Sequence, residues 1–434
     1  MIIIKGGHVI DPESGLNEKK DLVIEGWQIT EICEPESPKI NDCLSDPECE
    51  VIDASGMIVA PGLVDCHVHF RDPGFTYKED IETGSKAALR GGFTTVVMMG
   101  NTEPHFDNYD TVRNAVLKGA RCAPIRVFAC GNVTKGMEGK ELVDMDELLK
   151  AGAVLFTDDG KPITDEGLME QACIEASKRN KIISLHEEDP AFITENGINA
   201  GEVAKKLGIT GSPRQAEVSM VERDIDIAER TGASIVIQHI SAEQSVKLIR
   251  DAKKRGVKVY AEATPHHFTL TESAVLKYGT LAKMNPPLRL ESDRMAIIEG
   301  LRDGTIEMIA TDHAPHASYE KEKELTSAPS GITGLETSLA LGIKELVNPG
   351  FLTMEQLLER MTIGPARVCG LDAGYLHSDG YANIVIFSPD EEWTYEESAS
   401  KSSNSPFFGW KLPGRIHFVI SMGVIAYRVQ TSGK

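Results

Sequence analysis

Asp65-Cys66-His67-Val68-His69-Phe70-Arg71-Asp72-Pro73-Gly74 follows an apolar run at residues 57–64, Met-Ile-Val-Ala-Pro-Gly-Leu-Val. Side chains of a strand alternate between its two sides, so His67 and His69 present their imidazoles to one point while Val68 faces away. Two converging imidazoles make half of a metal site. Four further apolar, β-branched runs end in a metal-type side chain: Ala153-Val-Leu-Phe-Thr-Asp158-Asp159, Ile182-Ile-Ser-Leu-His186, Ser234-Ile-Val-Ile-Gln-His239 and Ile306-Glu-Met-Ile-Ala-Thr-Asp312.

Between these runs lie amphipathic stretches of helical period, and strand–helix alternation argues for βα units around a parallel sheet. Eight buried runs can be read, at 63–70, 94–99, 125–129, 153–157, 182–186, 234–239, 257–263 and 306–311. Eight such units predict a (β/α)8, or TIM, barrel over 58–367, an α/β fold with its reactive groups at the C-terminal ends of the strands. The five metal-type segments end the first, fourth, fifth, sixth and eighth runs, so they converge on one mouth. The chain ends differ from this middle: residues 1–57 and 368–434 read as short strands with Asp, Pro and Gly turns, which predicts a small β-sandwich-like domain assembled from both ends.

The 434 residues carry 45 basic against 66 acidic side chains, a formal charge of −21, which argues against a nucleic-acid or anionic-membrane surface. An anionic small molecule is not excluded, because an arginine and a cation make a positive site on an acidic protein. The eight cysteines show no Cys-x-x-Cys spacing, and free thiols in a reducing cytoplasm are the expectation; Cys33, Cys43 and Cys49 cluster irregularly near the start, leaving a small metal site or disulfide as the alternative. The opening Met1-Ile-Ile-Ile-Lys-Gly-Gly is too short for a signal peptide, and no run nears the ~18 apolar residues of a spanning helix.

Two metal ions about 3.5–4 Å apart share a hydroxide and polarise a carbonyl. His67 and His69 with Asp312 would hold one, His186 and His239 the other, and Asp158 or Asp159 would bridge; spacing does not choose between the two aspartates. Zinc accepts this imidazole–carboxylate mixture, as one or two Zn2+ per subunit. His266 and His267 read as packing, because the ligand positions are already filled, and His313 should point away from Asp312.

Residues 65–74, Gly100-Asn101-Thr102, Phe156-Thr-Asp158-Asp159-Gly160, His239-Ile-Ser241, Thr264-Pro-His266-His267, Met284-Asn285-Pro-Pro-Leu-Arg289, Ala310-Thr-Asp312-His-Ala-Pro-His316 and Ser405-Pro-Phe407 together resemble the long bacterial type of dihydroorotase, in the amidohydrolase superfamily. The match runs in order over nearly the whole chain. The resemblance implies the reversible cyclisation of carbamoyl aspartate to dihydroorotate, a step of pyrimidine biosynthesis. It also implies that Asp159 is the bridge and Asp312 the proton carrier. Arg71, Asn101 and His316 would hold the substrate carboxylate, with Asn285, Ser330 and Gly331 at the ring.

Without the resemblance, Arg71 could pair with Asp72 or Glu79 and Asn101 could cap a turn. Hydantoinases and many allantoinases, the enzyme alternatives, carry a carboxylated lysine at the end of strand four; here Lys161 lies beyond Gly160. A further alternative is an inactive relative serving as partner of aspartate transcarbamoylase, though all six ligand positions are filled. Homodimerisation and association with a transcarbamoylase both remain compatible with the sequence. The departures from the family pattern are Gly100, Glu187 after His186, and Ser330. The run 316–330 is too charged for core, and reads as a mobile loop over the mouth or a solvated helix at 319–325.

Overall fold

The computed structural model describes residues 1–35, 37, 40 and 48–430. Cys43 lies outside these residues; Cys33 donates to the Asp21 carbonyl (3.7 Å), and the seven described cysteines form no disulfide. The strands run in chain order β1 (Ile2–Asp11), β2 (Leu16–Glu25), β3 (Gln28–Cys33), β4 (Glu50–Asp53) and β5 (Ile58–Pro61). Then come β6 (Leu63–Val68), β7 (Phe93–Met98), β8 (Arg126–Gly131), β9 (Ala153–Phe156), β10 (Ile182–Leu185), β11 (Ser234–Ile237), β12 (Val259–Ala263) and β13 (Met308–Ile309). The tail supplies β14 (Ile384–Ser388), β15 (Trp393–Thr394), β16 (Lys411–Leu412), β17 (Arg415–Ser421) and β18 (Val424–Arg428).

Strands β6 to β13 pair in sequence order and all in parallel, which makes the barrel. Every residue of β6, β7 and β10 is buried, as it must be where helices cover one face and barrel interior fills the other. That double burial is why these runs show no strict apolar–polar alternation, and why the polar side chains in them, such as Asp65, Thr95 and Ser184, are themselves buried.

The seam between first and last strands is short. β6 stops at Val68 rather than at 70, and β13 spans two residues rather than the six of 306–311. A side chain replaces the missing ladder: the Asp65 carboxylate accepts from Thr311 N (3.2 Å), Thr311 Oγ1 (2.6 Å) and His67 N (3.0 Å). Beyond it Val68 bridges His313, and His69 N donates to the His313 carbonyl at 2.8 Å. Burial pushes the Asp65 carboxyl up to about 7 against these donors.

The helix Ile81–Arg90 fixes the loop after β6. Asp80 caps it by accepting from Thr83 N (2.8 Å), and Ile81, Ala87 and Ala88 are buried. Gly84 lies flat on the Phe70 ring, where a Cβ would stand 2.4 Å from the nearest ring carbon. Phe70 is therefore pinned between the two site residues His69 and Arg71.

The chain ends share one sheet of order β18-β17-β14-β5-β1-β2-β3, with β4 also paired to β1. Ile4, Val9, Leu22, Ile24, Ile29, Ile384, Ile386 and Ile420 form its own core. Each such isoleucine contributes about 1.5–3 kcal/mol by burial. No described helix is long and apolar enough to cross a membrane.

Candidate metal centre

His67, His69, Asp159, His186, His239 and Asp312 meet at the C-terminal mouth of the barrel, all buried. The Asp159 carboxylate is central: Oδ1 lies 3.5 Å from His67 Nε2, 3.6 Å from His186 Nδ1 and 3.8 Å from His239 Nε2, while Oδ2 lies 3.4 Å from His69 Nε2. Asp312 Oδ1 lies 2.9 Å from His69 Nε2 and 3.6 Å from His67 Nε2. His186 Nδ1 and His239 Nε2 are 3.0 Å apart.

Two ligand atoms each about 2.05 Å from a tetrahedral zinc lie about 3.3 Å from one another. The spacings above bracket that edge length, in one set formed by His67, His69, Asp159 and Asp312 and a second formed by Asp159, His186 and His239. His67 Nε2 is buried and makes no hydrogen bond among the described residues, yet it faces two carboxylates. A buried polar atom so placed is costly unless a cation takes it. The donor set thus fits one or two divalent ions.

Burial disfavours the His67 imidazolium, but Asp159 and Glu262 outweigh it and raise its pKa; likewise burial opposes, and Asp159 with Glu188 prevails, lifting His186 to about 10. Burial would raise the Asp159 and Asp312 carboxyls, but His67, His186 and His239 around the first, and His69 and His67 beside the second, hold both well below the usual range. His69 is lowered by burial and by Arg71.

The backbone at the mouth is strained where the ligands turn inward. His239 has φ 30°, Asp312 φ 46° and Arg71 φ 57°, a region that non-glycine residues rarely occupy. Arg71 therefore does not continue the strand face of His69; its side chain swings through a left-handed turn. Its Nε donates to the Pro315 carbonyl (3.3 Å), and among the described residues it has no ion pair within 4 Å. Asp72 pairs instead with Lys118 (2.6 Å) and Glu79 with His313 (3.3 Å). The guanidinium, its pKa lowered by burial, faces Asp312, Asp159 and Glu320.

Asn101 Oδ1 lies 3.0 Å from His69 Nδ1, and its Nδ2 donates to Asp159 Oδ2 at 3.3 Å, so it orients two ligand side chains. Asp158 faces away, accepting from Val133 N (2.8 Å) and from the Thr134 amide and hydroxyl. His316 lies past Asp312 with Nε2 2.8 Å from the Ser330 carbonyl. Ser330 Oγ and Asn285 Oδ1 are buried without partners among the described residues. Gly331, at φ 128°, brings its backbone against Ala314, where a Cβ would meet the Ala314 Cβ at 2.7 Å. His267 is spent on Thr264 Oγ1 (2.7 Å) and the Pro286 carbonyl (3.0 Å).

The run 316–330 packs more than its charge predicts. Its helix covers only Ser318–Lys321, and Lys321 is 5% exposed, donating to the Pro329 (2.8 Å) and Gly331 (3.2 Å) carbonyls. Its long apolar stem packs while the amine caps backbone oxygens. Sequence reading also missed two outer carboxylates: Glu262 Oε2, 3.0 Å from His67 Nδ1, and Glu188 Oε2, 3.2 Å from His186 Nε2. One signal existed for Glu262, a single charge inside the buried strand Val259–Ala263.

The Amidohydrolase family model matches residues 58–426. A protein of Clostridioides difficile (strain 630) named dihydroorotase is 54% identical over 427 residues, 98% of this chain and 100% of its own length. One of Clostridium acetobutylicum with the same name is 49% identical, covering 98% of this chain and 99% of its own. Among solved structures, the L-hydantoinase from Arthrobacter aurescens superposes with a TM-score of 0.86 at 24% identity, covering 98% of this chain and 95% of that one. A D-hydantoinase from Thermus sp. gives 0.82 at 25%, over 99% and 97% of the two chains.

Proposed function

The chain belongs to the dihydroorotases of the amidohydrolase family, and we propose that it interconverts N-carbamoyl-L-aspartate and L-dihydroorotate at the six-ligand cluster, with zinc as its cation. The observation that carries the site reading is the placement of a half-buried Arg71, with no ion pair among the described residues, beside the converging His and Asp side chains. A bound divalent cation supplies Lewis-acid polarisation and brings the pKa of water toward neutrality.

The side chains divide the remaining work. Arg71 holds the substrate carboxylate by bidentate, charge-assisted hydrogen bonds, with His316 and Asn101 beside it. Asn285 Oδ1 and Ser330 Oγ, both unsatisfied, await the polar edge of a cyclic amide. Asp312 takes a proton from the attacking oxygen and returns it to the departing ring nitrogen; in cyclisation it removes the proton of the attacking ureido nitrogen.

The test is the rate of dihydroorotate ring opening by zinc-loaded protein, alongside Asp312→Asn and Arg71→Ala. Turnover lost in the first and weakened substrate binding in the second are expected. Turnover of hydantoin but not of dihydroorotate overturns the substrate assignment.

A further inference from the structure

His316 has two ring nitrogens, and each faces a different group. Nε2 lies 2.8 Å from the Ser330 carbonyl, and Nδ1 lies 3.4 Å from Lys78 Nζ and 3.6 Å from Glu320 Oε2. A carbonyl only accepts, so Nε2 carries the hydrogen; an ammonium only donates, so Nδ1 is the acceptor. Burial, with Arg71, Lys78 and Lys321 around it, holds the ring pKa down to about 2, so it is a neutral imidazole with one N–H.

Lys78 also donates to Glu320 Oε1 at 3.2 Å, and Glu320 is kept in place by the Ala317 amide (2.8 Å) and the Tyr77 hydroxyl (3.2 Å). The ammonium thus stands between a fixed carboxylate and the lone pair of Nδ1. Without it, Nδ1 would meet Glu320 directly. The favoured tautomer would then put the hydrogen on Nδ1, and the Nε2 lone pair would oppose the Ser330 carbonyl.

We propose that Lys78 is a positioning residue of the reaction: it fixes the His316 tautomer, so that the single N–H on Nε2 holds the Ser330 carbonyl and with it the Ser330–Gly331 backbone beside the substrate. This rests on the reading of His316 as part of the carboxylate pocket. Lys78 sits in the loop after β6 and Glu320 in the helix Ser318–Lys321, so the same contact ties the loop carrying Arg71 to the loop carrying His316.

The experiment compares Lys78→Met, Lys78→Gln, Glu320→Gln, the Lys78→Met/Glu320→Gln double variant and His316→Ala in the zinc-loaded enzyme. The readouts are KM and kcat for dihydroorotate and 15N shifts of the His316 ring. Lys78→Met should raise KM about tenfold, the loss of one oriented hydrogen bond, and move the His316 hydrogen to Nδ1, with kcat changed by no more than about twofold. Lys78→Gln keeps a donor and should stay near wild type, which also answers any folding defect of the methionine variant. Removing the charge of Glu320 should restore most of the loss in the double variant. An unchanged KM and tautomer in Lys78→Met, or no rescue by Glu320→Gln, overturns the inference while leaving the site reading intact. An unchanged KM in His316→Ala instead overturns the reading of His316 itself, and this inference with it.

Discussion

Glu262 Oε2 stands 3.0 Å from Nδ1 of His67, while Nε2 of the same ring faces Asp159 and Asp312. A carboxylate behind a ligating histidine fixes the ring's orientation and raises its basicity. Glu262→Gln keeps the shape and loses the charge. It should weaken zinc binding about 10- to 100-fold in competition with a chelator at fixed pH. An affinity within about threefold of wild type would mean that His67 is oriented by packing alone.

Asp312→Asn removes the carboxylate nearest to His69, 2.9 Å from its Nε2, and with it the proposed proton carrier. The expected loss in kcat is about 10²- to 10⁴-fold, with KM for dihydroorotate nearly unchanged. Steady-state kinetics on protein of verified zinc content distinguishes this from metal loss. Residual turnover above about a tenth of wild type would assign the proton to another group.

Arg71→Lys keeps a charge and loses the bidentate fork. Because the guanidinium has no competing ion pair within 4 Å among the described residues, the change should appear almost wholly in KM, raised about 10- to 100-fold, as for a charge-assisted hydrogen bond worth about 1.5–3 kcal/mol. Equal losses in kcat and kcat/KM would place Arg71 in the chemical step instead.

Lys321 links stability to pH. Burial brings its amine down to about 7, from an ordinary value of 10.5. Between those limits the unfolded chain binds a proton that the folded chain has released, so this group makes stability rise with pH. Below about pH 7 both states are protonated and the full cost of the buried ammonium is present. Relative to Lys321→Met, the wild type should gain up to ~1.4 kcal/mol per pH unit from about pH 7 to about pH 9, read from urea midpoints. Parallel curves for the two proteins would show that the amine titrates as if exposed.

The barrel was legible because its strands must be apolar on both faces and stop at the mouth, which is how Ser234-Ile-Val-Ile-Gln-His239 reads as a strand with a ligand after it. The lone pairings were not. Glu262 meets a histidine 195 residues earlier, and nothing local marks that partnership. Simple alternation would put Arg71, two residues on, on the face of His69, whereas the strand ends at Val68 and a positive φ reaims the side chain. The charge of the run 316–330 allows a mobile loop or a solvated helix, and composition does not reveal that one amine in it, that of Lys321, turns inward on carbonyls. In the tail, strand propensity marked β14 and β17, but their insertion beside β5 is a tertiary choice.

That insertion orders events during synthesis. Strand β5, directly before the first barrel strand, pairs on one side with β1 and on the other with β14, so that Ile58 to Pro61 lie opposite Phe387 to Ile384. A ribosome will have delivered all eight barrel strands before β14 emerges, leaving β5 with an open edge meanwhile. Unpaired edges invite pairing with other chains. Nascent chains stalled between β13 and β14 should therefore be the aggregation-prone species, and cleavage in the tail should harm solubility well before it touches the chemistry.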